Sequence, residues 1–91
     1  MTLEIRQLTH FATVSRLASF SAAAKELNLT QPALSKSVRV LEENMGVPLF
    51  ERGPNGVQLT VYGERLKTYA DLLLSLANEA IDEVDALRGV R

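Results

Sequence analysis

The chain of 91 residues contains no cysteine. That absence excludes a disulfide framework, a thiolate nucleophile and a cysteine-ligated zinc, and it fits a reducing compartment. Histidine occurs once, at His10, and no pair of carboxylates marks a plausible cavity, so an enzyme would lack its usual acid–base side chains. No apolar run approaches the roughly 20 residues needed to cross a bilayer. The opening MTLEIRQLTH sets charges among its apolar residues and lacks the apolar core and cleavage site of a secretory signal. A cytoplasmic location is expected. A surplus of positive charge is missing too: Lys and Arg number 10 against 11 Asp and Glu, a net charge of −1. Taken alone, that weighs against a nucleic-acid partner, whose phosphates are met by Lys and Arg. What remains is a globular composition, 46% hydrophobic, in a length that allows one small domain with little room for a deep cavity. No cofactor and no metal site is expected.

The distribution of charge alters that balance. Through residue 68, eight cations (Arg6, Arg16, Lys25, Lys36, Arg39, Arg52, Arg65 and Lys67) face six carboxylates (Glu4, Glu26, Glu42, Glu43, Glu51 and Glu64). From residue 69 onward, Arg88 and Arg91 face Asp71, Glu79, Asp82, Glu83 and Asp85. The acidity therefore sits at the C-terminal end, and the rest is mildly basic.

Periodicity predicts a mostly α-helical chain with one small β-hairpin. Ile5, Leu8, Ala12 and Ser15, with Phe11 and Val14 beside them, share a broad helical face. Ser19 is placed to cap a second helix whose apolar stripe is Phe20, Ala23, Ala24 and Leu27. After a turn of few residues, Thr30 is placed to cap a third helix. Pro32 is tolerated there because first-turn N–H groups have no intrahelical partner to lose. Leu34, Val38, Leu41 and Met45 point this helix inward, and Gly46 ends it. VPLFER and GVQLT are β-prone runs around the turn residues GPNG, and they predict a wing. Thr60 then caps a helix expected from about Val61 to Leu87.

That last helix, about 40 Å long at 1.5 Å per residue, carries more apolar surface than a small domain can cover. Leu66, Leu73 and Ala80 recur at seven-residue intervals, with Ala70, Ala77 and Val84 interleaved and Tyr69, Leu76 and Ile81 widening the face. These nine residues are the expected dimer seam. Residues 1–60 form the expected winged helix-turn-helix unit, and residues 61–91 the dimerising helix.

A short helix, a tight turn and a second helix with a polar outer face is the helix-turn-helix arrangement. The outer face holds Gln31, Ser35, Lys36 and Arg39, with Pro32 keeping the leading end slim. Gln can bond a base edge through both amide atoms, Ser can meet phosphate or base, and Lys and Arg can meet guanine or the backbone. Any exposed helical face is polar, and that plainer explanation stands beside this one. Arg52 on the wing can reach phosphate or the minor groove, or simply be solvated. Ser21 can hold a phosphate or bond its own backbone. His10 reads as a boundary residue, and Asp82, Glu83 and Asp85 as a solvated face rather than a metal site.

The Phe11 to Val14 helix and the segments SFSAAAKEL, TQPALS, LEENMGVPLFER and LTVYGE, in this order over about residues 5–66, resemble the N-terminal DNA-binding region of LysR-type transcriptional regulators. The resemblance implies a winged helix-turn-helix and a bacterial regulator that binds double-stranded DNA as a homodimer paired through the following linker helix. It places base and phosphate contacts at Thr30, Gln31, Pro32, Ser35 and Lys36, with Arg52 at the wing and Ser21 near the second helix. Position 36, often arginine in that family, is lysine here, a point charge in place of a rigid fork. The family's effector-binding domain, through which a small molecule would act, is expected to lie outside this chain. Because a symmetric dimer reads a symmetric site, an interrupted palindrome is the expected target. The competing expectation is a winged-helix module that binds another protein and no DNA.

Overall fold

The computed structural model describes residues 2–89. Its elements run α1 (Ile5–Leu17), α2 (Phe20–Leu27), α3 (Gln31–Met45), β1 (Phe50–Gly53), β2 (Gly56–Leu59) and α4 (Val61–Leu87). The predicted caps are in place. Ser19 Oγ accepts from the Ala22 N–H, Thr30 Oγ1 from that of Ala33, and Thr60 Oγ1 from that of Gly63. Gly46 closes α3 at φ 74°, the left-handed conformation that glycine adopts without cost.

Apolar burial gathers the first three helices around Leu8, Phe11, Val14, Leu34, Val38 and Leu41, each at most 1% exposed. Ala23 and Ala24 are buried with them, and side chains that small let α2 lie close to its neighbours. Ile5 departs from the expected inward face. It is 52% exposed because α1 begins there, ahead of the elements that cover Leu8 and Phe11.

The wing is an antiparallel pair in which Phe50 faces Leu59 and Arg52 faces Val57. It starts later than the run VPLFER suggests, and the hydrogen bonds explain why. Pro48 has no N–H to give, and the N–H groups of Leu49 and Phe50 both donate to Glu42 Oε2, at 2.7 and 3.2 Å. A carboxylate on α3 thus pins the root of the wing. Two donors lose their acceptor if Glu42 is replaced by Ala. This substitution is expected to cost about 1–2 kcal/mol and to lower Tm by roughly 5–10 °C in a domain of this size, as calorimetry would register. Glu42→Gln, which retains an acceptor oxygen, should recover part of the loss.

Thr60 joins the hairpin to α4 with three bonds. Its N–H donates to the Leu49 carbonyl at 3.0 Å, its hydroxyl donates to the Pro48 carbonyl at 2.7 Å, and the same oxygen caps the helix. The first turns of α4 pack inward through Gly63, Leu66 and Ala70. Beyond Ala77, with the exception of half-buried Asp85, the described part of the helix is exposed.

Candidate nucleic-acid interface

The N-terminal end of α3 projects from the core. Thr30, Gln31, Pro32, Lys36 and Arg39 are exposed and Ser35 is half-buried, while Leu34 and Val38 on the opposite side are sealed. The polar head and the apolar root are therefore two faces of one amphipathic helix. Three ion pairs join described residues, Arg16–Glu26, Lys67–Asp71 and Arg88–Asp85. None of them involves Lys36, Arg39 or Arg52, so these cations are available to an external anion. The turn before α3 is held by the Leu29 N–H donating to the Ala24 carbonyl at 2.9 Å. That bond closes the C-terminal end of α2 just ahead of the exposed head.

Two further contacts shape this surface. Ser21 Oγ donates to Gln31 Oε1 at 3.0 Å, bringing together two of the expected site residues from different helices. Arg52 does not hang free in solvent. Its guanidinium lies over the Phe20 ring, 4.0 Å from the centroid. Phe20 in turn meets Phe50 edge-on at 5.8 Å, and Phe50 meets Phe11 at 5.2 Å. The wing arginine is thus seated on an aromatic chain that reaches the centre of the core, and it stands beside the start of α2.

Sequence periodicity marks Phe20 only as a core residue. Its second role as a platform for Arg52 depends on how the hairpin folds back, which no local pattern reveals. His10 also does more than sit at a boundary: its Nδ1 lies 2.7 Å from Ser37 Oγ and ties α1 to α3 behind the exposed head. Burial, and then the nearby Arg6 charge, hold its imidazole below the ordinary histidine range, which favours the neutral ring.

The seam expected on α4 divides in two. Leu66 and Ala70 are 8% and 0% exposed and belong to the domain's own core, so they are corrected out of the open face. The reason is geometric. They lie on the side of the helix that packs on the rest of the domain, and Leu74 and Ala77 continue that side as half-buried residues. Of the expected seam, Tyr69, Leu73, Leu76, Ile81 and Val84 stay uncovered, each between 40% and 59% exposed, with Ala80 exposed among them and Leu72, at 57%, adding to the open surface from outside the expected set. Arg91, counted with the acidic end of the sequence, lies outside the described residues. No helix among the described residues is long and apolar enough to cross a membrane.

Comparisons with known proteins bear on this geometry. A family model described as "Bacterial regulatory helix-turn-helix protein, lysR family" matches residues 5–64. The HTH-type transcriptional regulator CfxR of Cupriavidus necator is 44% identical over 88 residues, covering 97% of this chain and 28% of the relative. The chain thus spans little more than a quarter of that relative's length. Among solved structures, the BenM DBD in its complex with catB site 1 DNA superposes with a TM-score of 0.91 at 34% identity, covering 98% of this chain and all of that one. Full-length CbnR in complex with its target DNA gives 0.84 at 36% identity, over 92% of this chain and 29% of that one.

Proposed function

Because this chain belongs to the lysR family of bacterial regulatory helix-turn-helix proteins, we propose that it binds double-stranded DNA sequence-specifically, as a homodimer on an interrupted palindrome, and serves as the DNA-binding part of a cytoplasmic transcriptional regulator. The observation that carries the reading is the exposed head of α3, with Gln31, Lys36 and Arg39 directed away from a sealed apolar root and the two cations free of ion-pair partners among the described residues. In this reading α3 enters the major groove and its N-terminal residues meet base edges. Arg52, seated on Phe20, meets phosphate or the minor groove from the wing. Residues 1–60 act as the reading unit and residues 61–91 as the pairing helix. The open part of the α4 face pairs two copies and fixes the distance between their reading heads. The net charge of −1 does not oppose this, because a local surplus of cations at the contact surface sets the phosphate term.

Fluorescence anisotropy on a labelled duplex bearing an interrupted A/T-rich palindrome, against a scrambled duplex and across a salt series, tests the proposal. Preference for a palindromic duplex with a steep salt dependence is the expected result. No binding to any duplex at low salt, with the dimer intact, would transfer support to a protein-binding module. The two kinds of contact are separable by mutation. Lys36→Ala should weaken all duplexes alike and lower the salt slope by about 1. Gln31→Ala should relax preference at one position of each half-site, by about 1–3 kcal/mol if both amide atoms meet the base.

A further inference from the structure

Phe20 opens α2 and is only 5% exposed, yet its ring is the surface on which the exposed side chain of Arg52 rests, 4.0 Å from the centroid. The ring is a fixed seat. Phe50, itself buried, meets it edge-on and is held in turn against the sealed ring of Phe11. No ion pair among the described residues engages the guanidinium. A guanidinium is flat, with five N–H donors lying in its plane, and an aromatic ring attracts it through charge on the ring face. The seat therefore holds the group in place without saturating its donors. We infer that Phe20 is a positioning residue for DNA binding, which delivers the wing arginine to the duplex already ordered and with N–H donors open. The inference rests on the DNA-binding function proposed above.

The consequence for affinity has a definite sign. An arginine on an exposed strand, with no seat, surrenders rotamer freedom when it meets DNA, and that loss opposes binding. Where the ring has already restricted the side chain during folding, less remains to be lost in the complex. The opposite sign would follow if Arg52 had to leave the ring to reach DNA, for then Phe20 would compete with the duplex. The division of labour within the guanidinium favours the first outcome: DNA oxygens are met by N–H donors, whereas the ring needs only the cation's charge, so one arginine serves both partners together. Phe20 thus raises affinity through Arg52 while lying beneath it in the core.

The test replaces Phe20 alone by 4-fluoro- and then 3,4,5-trifluorophenylalanine, which keep the ring and nearly its volume while draining negative charge from its face. Anisotropy is read on a duplex selected by the wild type from a randomised library. Affinity should fall step by step with fluorination, by about threefold to tenfold in all, the range of a partly exposed cation–π contact. In an Arg52→Ala background the same replacements should have no further effect. In the free protein, NMR should show the Arg52 side-chain protons displaced upfield by the ring current, and Phe20→Leu should return them to ordinary positions. A loss that persists without Arg52 would make Phe20 a structural residue only and overturn the inference, as would an affinity indifferent to fluorination. Tighter binding on fluorination would overturn it too, by showing that ring and DNA compete. If the wild type bound no duplex while the ring-current shift was present, the DNA-binding proposal would fail and take the inference with it; ordinary Arg52 shifts in a wild type that binds DNA would remove the seat alone.

Discussion

Leu76→Asp is expected to halve the sedimenting mass of the protein and to lower its affinity for a two-half-site duplex by about 10²–10⁴-fold, the range that linked binding adds over a single contact. Leu76 is 59% exposed in the single chain, so the substitution removes little of the domain's own core. Its neighbours on the helix face are also uncovered: Tyr69 at 56%, Leu72 at 57% and Leu73 at 40%. Contiguous apolar surface of this kind marks an interaction site rather than ordinary scatter. A carboxylate placed in the middle of it costs the monomer only about 0.5 kcal/mol in helix propensity, but must be desolvated, unpaired, in a dimer. Far-UV circular dichroism and Tm extrapolated to low concentration should therefore stay close to wild type while association is lost. Binding to an isolated half-site should persist at its weak monomer level. An unchanged mass would discard this face as the seam, and an unchanged DNA affinity with halved mass would discard the palindrome.

The residues that sequence periodicity located and those it missed divide along a physical line. Caps, turns and stripes are local: Ser19, Thr30 and Thr60 each bond an N–H three residues on, and Gly46 serves the helix it ends. Such features are written in consecutive residues, and they stand where the pattern puts them. The limits of α4, Val61–Leu87, are legible for the same reason. Contacts between distant segments carry no such signature. The Glu42 carboxylate holding the Leu49 and Phe50 N–H groups, the Arg52 stack on Phe20 and the Ser21–Gln31 bond all depend on how elements return upon one another. The division of the α4 stripe has that origin too. A seven-residue repeat shows that Leu66, Ala70, Leu73 and Leu76 share a broad side, but only the docking of the helix decides that the first two face their own domain and the last two remain open. For the reading head the legible part is the larger, since an exposed helical face is defined by the same periodicity that defines the buried one.

Gly63→Ala is expected to destabilise the domain by about 2–3 kcal/mol and to lower Tm by on the order of 10–20 °C, against what helix propensity alone predicts. Gly63 lies in the first turn of α4, where Ala would favour the helix by about 1 kcal/mol. Sterics oppose and exceed that gain. A Cβ at this position would overlap the Leu49 carbonyl oxygen and come to 2.8 Å from Leu59 Cδ2. The principal obstacle is backbone, and it cannot swing aside as a flexible side chain would. The Leu49 carbonyl is already engaged by the Thr60 N–H, and the Leu49 N–H by Glu42, so the segment is held from both sides. Relief requires α4 to lift from the root of the wing. That movement would also turn the long helix relative to α3, and an error of angle at its first turn is amplified along its length of about 40 Å. If paired α4 helices set the separation of the two reading heads, the surviving folded protein should prefer half-sites at a different spacing from wild type. Calorimetry and a panel of duplexes with spacers changed one base pair at a time would measure both effects. A Tm at or above wild type would mean that the close approach of α4 to Leu49 is not a feature of the protein in solution; a lowered Tm with unchanged spacing preference would detach α4 docking from the geometry of DNA binding.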